Sequence, residues 1–156
     1  MNQHSALEAR LARIRSVLGQ PSWQRGNVLL YCGDSLDLMS KLPDGLFDLT
    51  ITSPPYNIGK EYERRIPLEQ YLTWSEEWMG QVARLTGPSG AFWLNLGYIR
   101  VPDRGRAVPL AYLLWSRTDL FLLQEKALPY AQSRTSARLL SRDFGLGSSM
   151  LAQRNP

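Results

Sequence analysis

The residues best suited to chemistry are Thr52-Ser53-Pro54-Pro55-Tyr56-Asn57, a short polar loop stiffened by two prolines and tipped by an aromatic ring. Each proline fixes φ and removes a backbone donor, and Pro55 drives Pro54 into extended geometry. The carbonyls of Ser53 and Pro54 are therefore expected to point outward without local N–H partners. Such a row of acceptors, joined by the Ser53 hydroxyl, suits the two N–H bonds of an exocyclic amine. Tyr56 adds a flat face on which a planar ring can stack. Together these groups describe a pocket for the amine of a nucleobase turned out of its helix.

A loop of this kind needs a strand to present it. Phe47-Asp48-Leu49-Thr50-Ile51-Thr52 is apolar and β-branched enough to be a buried strand. The loop then sits at a strand's carboxyl end, where open α/β sheets bind ligands. Upstream, Leu7, Leu11, Ile14 and Leu18 share one face of an amphipathic helix over Ser5 to Leu18, with Ser5 and Glu8 spaced as a capping box. Asn27 to Cys32 reads as a short strand and Ser35 to Lys41 as a short helix. Pro67 opens a long helix to about Leu85, and Gly87-Pro88-Ser89-Gly90 stops it. Ala91 to Leu96 gives a third strand, Ala107 to Arg117 a third crossover helix, and Leu120 to Gln124 a fourth strand. This alternation predicts an α/β fold: a mostly parallel sheet with flanking helices and right-handed crossovers.

The string Ser53-Pro54-Pro55-Tyr56 resembles the catalytic motif of amino-group DNA methyltransferases, which methylate cytosine N4 or adenine N6 in restriction-modification or orphan settings. Gly33-Asp34-Ser35-Leu36, Leu42-Pro43-Asp44, Phe47-Asp48-Leu49 and Thr52 to Lys60 extend the likeness. Together they are similar to the amino-terminal half of the group that places the catalytic motif ahead of the cofactor motif, over roughly Tyr31 to Glu125. The resemblance implies a partial, truncated Rossmann-like fold, S-adenosyl-L-methionine as methyl donor and double-stranded DNA as substrate. It implies catalytic roles for Ser53, Pro54, Pro55 and Tyr56, with direct transfer to the base and no covalent enzyme intermediate. Serine at the first motif position leans toward cytosine N4 over adenine N6.

The resemblance also sets an acidic residue, Asp34, facing the donor's adenosine, whereas the residues alone make Asp34 a helix N-cap; both readings stand. Asn57 and Lys60 extend the loop toward base or phosphate, with Asn57 equally readable as a turn-former. Arg64 and Arg65 after the motif, and Arg100, Arg104 and Arg106 after a later strand, are the local clusters on which DNA contact must rest. Overall charge does not help, because residues 127–156 hold four Arg against one Asp and account for most of the net +4.

A chain of 156 residues is one ordinary domain, and no stretch of it is long and apolar enough to cross a membrane. Met1 to Ser5 lacks the basic-then-apolar pattern of a secretion signal, so a cytoplasmic location is expected. Cys32 stands alone, which excludes a disulfide framework or cysteine metal site within one chain. It lacks the Pro-Cys setting of carbon-5 cytosine methylation and reads as a small core residue. No His-Glu-x-x-His, paired acid–base carboxylates or Gly-x-x-x-x-Gly-Lys loop is present, so metal-centre, nuclease and NTPase readings have no residues behind them.

The pattern fails after Glu125. Residues 1–126 read as the amino-terminal catalytic half, and 127–156 as an irregular tail, disordered or out of frame. The resemblance implies further strands, a target-recognition region and a glycine-rich cofactor loop in a chain about twice as long. Asp143-Phe144-Gly145-Leu146-Gly147-Ser148 superficially resembles that loop but follows no convincing strand. A truncated or frame-shifted product is thus expected. Beside the enzyme stand a non-catalytic remnant that binds DNA or a partner, a half that needs a complementing subunit, and a homodimer.

Overall fold

The computed structural model describes residues 3–101, 106–128 and 147–154. Helix α1 (Gln3–Leu18) starts two residues before Ser5, so that serine lies inside it instead of capping it. Its Leu11 is buried, and Ile14 and Leu18 pack with Leu42, Leu46 and Leu85. Arg10, on another face, pairs with Asp48.

Strands β1 (Trp23–Arg25) and β2 (Val28–Leu30) form an isolated antiparallel hairpin turned at Gly26, whose φ is +53°. This corrects the strand expected over Asn27 to Cys32: the segment pairs back on its neighbour and does not enter the main sheet. Cys32 is exposed as a result and is not a core residue. Helix α2 (Ser35–Lys41) and strand β3 (Phe47–Thr52) form where the sequence places them, but β3 is not the buried strand expected: none of its residues is buried, because it ends the sheet among the described residues and one of its faces is left uncovered.

The long helix α3 (Leu68–Leu85) turns Tyr71, Leu72, Trp78, Met79 and Val82 inward. Strand β4 (Thr86–Leu96) runs parallel to β3, with Ile51 beside Trp93 and Thr52 beside Leu94. The predicted crossover helix from Ala107 divides. Strand β5 (Tyr98–Val101) pairs antiparallel with β6 (Arg106–Pro109), and only then does helix α4 (Leu110–Trp115) begin. Proline explains the split: Pro109 holds Val108 extended and cannot donate, so the helix starts immediately behind it.

Strand β7 (Leu120–Leu128) is followed in the described residues by β8 (Gly147–Arg154), giving the sheet order β3-β4-β8-β7. The tail expected to be irregular therefore supplies a strand between β4 and β7, antiparallel to both. Its signal is weak because, among the residues whose burial is described, Met150 and Ala152 are buried with Leu151 between them, and two serines precede them in sequence. The α/β class with a central sheet and flanking helices holds. Pairing among the described strands is parallel for β3 with β4 and antiparallel where β8 enters.

Phe92, Leu94 and Leu96 face the same side as Met150 and Ala152 and bury against α3 and α4. The opposite face is less covered, with Leu49 53% and Ile51 68% exposed on β3, the end strand of the sheet. Among the described residues no helix is long and apolar enough to cross a membrane.

Candidate active site

Strand register assembles the site. Thr52 lies beside Leu94, so Ser53, the first residue beyond β3, comes next to Asn95, which is still within β4 and pairs with Ser149 of β8. Ser53 Oγ and Tyr56 Oη lie 2.8 Å apart, and either hydroxyl can donate. Asn95 Nδ2 donates to Tyr56 Oη at 3.0 Å and reaches Ser53 Oγ at 3.5 Å. Asn95 Oδ1 is buried without a hydrogen-bond partner among the described residues. Among the described residues no side-chain hydrogen bond reaches the carbonyl of Ser53 or Pro54.

Tyr56 is half-buried and packs on the main core. Its ring lies against Gly97, where an added Cβ would come within 2.7 Å of Tyr56 Cδ2. Pro55 is tied from beneath: Tyr71 Oη donates to its carbonyl at 2.7 Å. Burial, reinforced by the nearby Glu63 carboxylate and Tyr56, pushes the Tyr71 phenol up to about 12, so it stays a donor throughout the neutral range. A cavity of about 260 Å³ opens behind the loop, lined by Pro55, Asn57, Tyr62, Arg64, Tyr71 and Trp74 among others.

Asp34 caps α2: its Oδ1 accepts from the N–H groups of Leu36 at 2.8 Å and Asp37 at 3.2 Å. The side chain is otherwise exposed, which leaves its second oxygen open. Asn57 is 8% exposed and its amide is used internally, donating to the Ile66 carbonyl and accepting from the Ile66 N–H, both at 2.8 Å. The turn-former reading of Asn57 is the one its contacts favour. Lys60, Arg64 and Arg65 are exposed around the same loop. Arg100 and Arg106 lie on the β5–β6 hairpin, and Arg104 lies outside the described residues. Of the glycine pair near the end, Gly147 begins β8 and Gly145 lies outside the described residues.

Sequence reasoning missed Asn95, Tyr71 and Gly97. Asn95 was signalled as the lone polar residue in an apolar strand. Tyr71 carried no signal, since an inward tyrosine on an amphipathic helix reads as packing.

A family model described as DNA methylase, of the N6/N4 type, matches residues 47–138. The chain belongs to this family. Among its relatives, the type II methyltransferase M.ScaI of Streptomyces caespitosus is 49% identical over 136 residues, covering 87% of this chain and 45% of that protein. M.BglII of Bacillus subtilis, also a type II methyltransferase, is 42% identical over 81 residues, covering 52% of this chain and 22% of that one.

In fold, the chain is similar to the PvuII DNA methyltransferase, described as cytosine-N4-specific. The TM-score is 0.69 at 17% identity, covering 87% of this chain and 52% of that one. A Thermus thermophilus protein solved with S-adenosyl-L-methionine matches with a TM-score of 0.58 at 18% identity, covering 80% of this chain and 54% of that one. The chain thus spans about half the length of M.ScaI and of these two solved proteins, and less than a quarter of M.BglII.

Proposed function

We propose that the site methylates the exocyclic amine of a flipped DNA base, cytosine N4 in preference to adenine N6, with S-adenosyl-L-methionine as donor. The observation that carries this reading is the hydrogen-bonded row Asn95, Tyr56, Ser53 at the end of β3. With Asn95 donating to the phenol, the phenol proton serves Ser53 Oγ and the Ser53 proton is left to point out of the loop. That proton suits the ring nitrogen beside the amine, while the Pro54 carbonyl accepts an amine N–H. The amine lone pair is then aimed; as the nitrogen–methyl bond forms, the donor's sulfur–methyl bond would break to leave a neutral thioether, and the charged amine would give its surplus proton to water. Preference for cytosine rests on serine, in place of aspartate, at the first motif position.

The donor, when bound, supplies an electrophilic methyl group. Asp34 fits it in part, since one exposed carboxylate oxygen is available for adenosine hydroxyls. Lys60, Arg64 and Arg65 would hold phosphates beside the loop. Labelled-methyl transfer to double-stranded DNA, followed by nucleoside mass spectrometry, tests the reading. N4-methylcytosine formed by the chain and lost in Ser53→Ala supports it, and methyladenine alone refutes the choice of base.

A second reading is that the chain needs a complementing half for activity. The exposed Leu49 and Ile51 on one face of β3, the end strand of the sheet among the described residues, favour it. Activity that appears only on mixing with a separately made cofactor half would establish this reading.

A further inference from the structure

Tyr56 is gripped through both peptide groups that flank it. On its amino side the Pro55 carbonyl accepts from Tyr71 Oη at 2.7 Å. On its carboxyl side the Asn57 N–H donates to Glu63 Oε2 at 2.9 Å. The other oxygen of the same carboxylate, Oε1, accepts from the N–H groups of Ile58 at 2.9 Å, Gly59 at 3.0 Å and Lys60 at 3.3 Å.

Four consecutive backbone donors thus converge on one carboxylate. Concave runs of amides of this kind ordinarily bind anions. Here the anion comes from the same loop. The curvature depends on two left-handed residues, Asn57 at φ +61° and Gly59 at φ +80°. For glycine this costs little, whereas Asn57 is held there by its paired bonds to Ile66. Partial burial alone would raise the Glu63 pKa, but the four N–H bonds outweigh it and bring the carboxyl below the usual glutamate range. At neutral pH the cradle is therefore filled by a full negative charge.

We infer that Glu63 is a positioning residue for the Ser53–Tyr56 pair: it occupies the amide cradle that follows the motif and fixes the peptide on the carboxyl side of Tyr56. With Tyr71 fixing the peptide before it, both backbone torsions of Tyr56 are set, and its phenol is delivered to Ser53 and Asn95. The filled cradle is also closed to DNA phosphate, which leaves phosphate contact at this loop to the side chains of Lys60, Arg64 and Arg65. The catalytic consequence rests on the methylation reading, while the structural one does not.

Glu63→Gln keeps the shape, loses the charge and turns an amide NH2, itself a donor, toward backbone donors. Its exposed neighbour Glu61→Gln is the control. The decisive readout is nuclear magnetic resonance of the full chain. Glu63→Gln is expected to shift the Ser53 and Tyr56 resonances along with the amides of Asn57 to Lys60, leaving α3 unchanged, while Glu61→Gln moves none of them. Unchanged Ser53 and Tyr56 resonances in Glu63→Gln overturn the inference.

If Glu63→Gln does not fold, acid titration of the wild type decides. The Tyr56 resonances must move with the Glu63 carboxyl, and a titration confined to residues 57–60 overturns the role. In the transfer assay kcat is expected to fall about 10- to 100-fold with KM for DNA within about twofold. An unchanged kcat overturns the catalytic consequence. A wild-type chain with no Ser53-dependent transfer defeats the methylation reading, while the resonances still decide positioning.

Discussion

The amide of Asn95 donates to the phenol of Tyr56 at 3.0 Å, joining residues 39 apart in sequence. The bond exists because the parallel register of β3 and β4 brings both strand ends to one place. Asn95→Leu removes the donor while keeping the side-chain volume. A neutral hydrogen bond of this kind contributes about 0.5–1.5 kcal/mol, so methyl transfer should slow about 2- to 13-fold. Single-turnover rates on DNA check this, with circular dichroism confirming an unchanged fold.

Gly97 borders Tyr56 so closely that no side chain fits. Gly97→Ala would set a Cβ 2.7 Å from Cδ2 and 3.1 Å from Cε2 of the ring. Because the ring is fixed at its hydroxyl, it must move as a whole and break the contact with Ser53. Overpacking of this sort costs about 1–3 kcal/mol. Thermal melts should show that loss, and transfer should fall further than in Asn95→Leu, since the acceptor row is displaced with the ring.

How far the sequence could be read follows from where each signal lies. Helices α2 and α3, strand β3 and the Ser53–Tyr56 loop are written in local periodicity and proline chemistry, and the structure places them accordingly. What failed was pairing at a distance. Nothing local tells Val28 to Leu30 to fold back on Trp23, or Ser148 to Arg154 to cross from the tail into the middle of the sheet. The site's supports were hidden similarly. Asn95 meets Ser53 through strand register, and the Glu63 carboxylate meets four amides through a turn that needs Asn57 left-handed.

Arg84 joins α2 to α3. Its guanidinium donates to the carbonyls of Leu42 and Met39, each at 2.7 Å, and to Asp44 at 2.6 Å and Gln81 at 2.8 Å. The Met39 carbonyl also accepts from the Leu42 N–H, so Arg84 adds a second bond there and supplies the side-chain donor to the Leu42 carbonyl. Arg84→Lys cannot reproduce the fork and should cost about 1–3 kcal/mol, read as a lower denaturation midpoint with an unchanged slope. Asp44→Asn should cost far less, because that carboxylate is exposed.

The loop holding Tyr56 should loosen at both extremes of pH, for opposite reasons. Glu63 has a folded pKa below its unfolded value, so its contribution is present above the unfolded pKa and is lost as pH falls through the folded one. Tyr71 has a folded pKa raised to about 12, so its contribution is complete below the unfolded value near 10 and is lost as pH rises through about 12. Trp74, packed against Tyr71 with ring centroids 5.7 Å apart, reports on this region by fluorescence. Its emission should change below the usual glutamate range and again between about 10 and 12. Tyr71→Phe should abolish the alkaline change and spare the acid one, and Glu63→Gln should do the reverse. An alkaline transition that survives in Tyr71→Phe would assign that edge to another group and contradict the role given to the Tyr71 phenol.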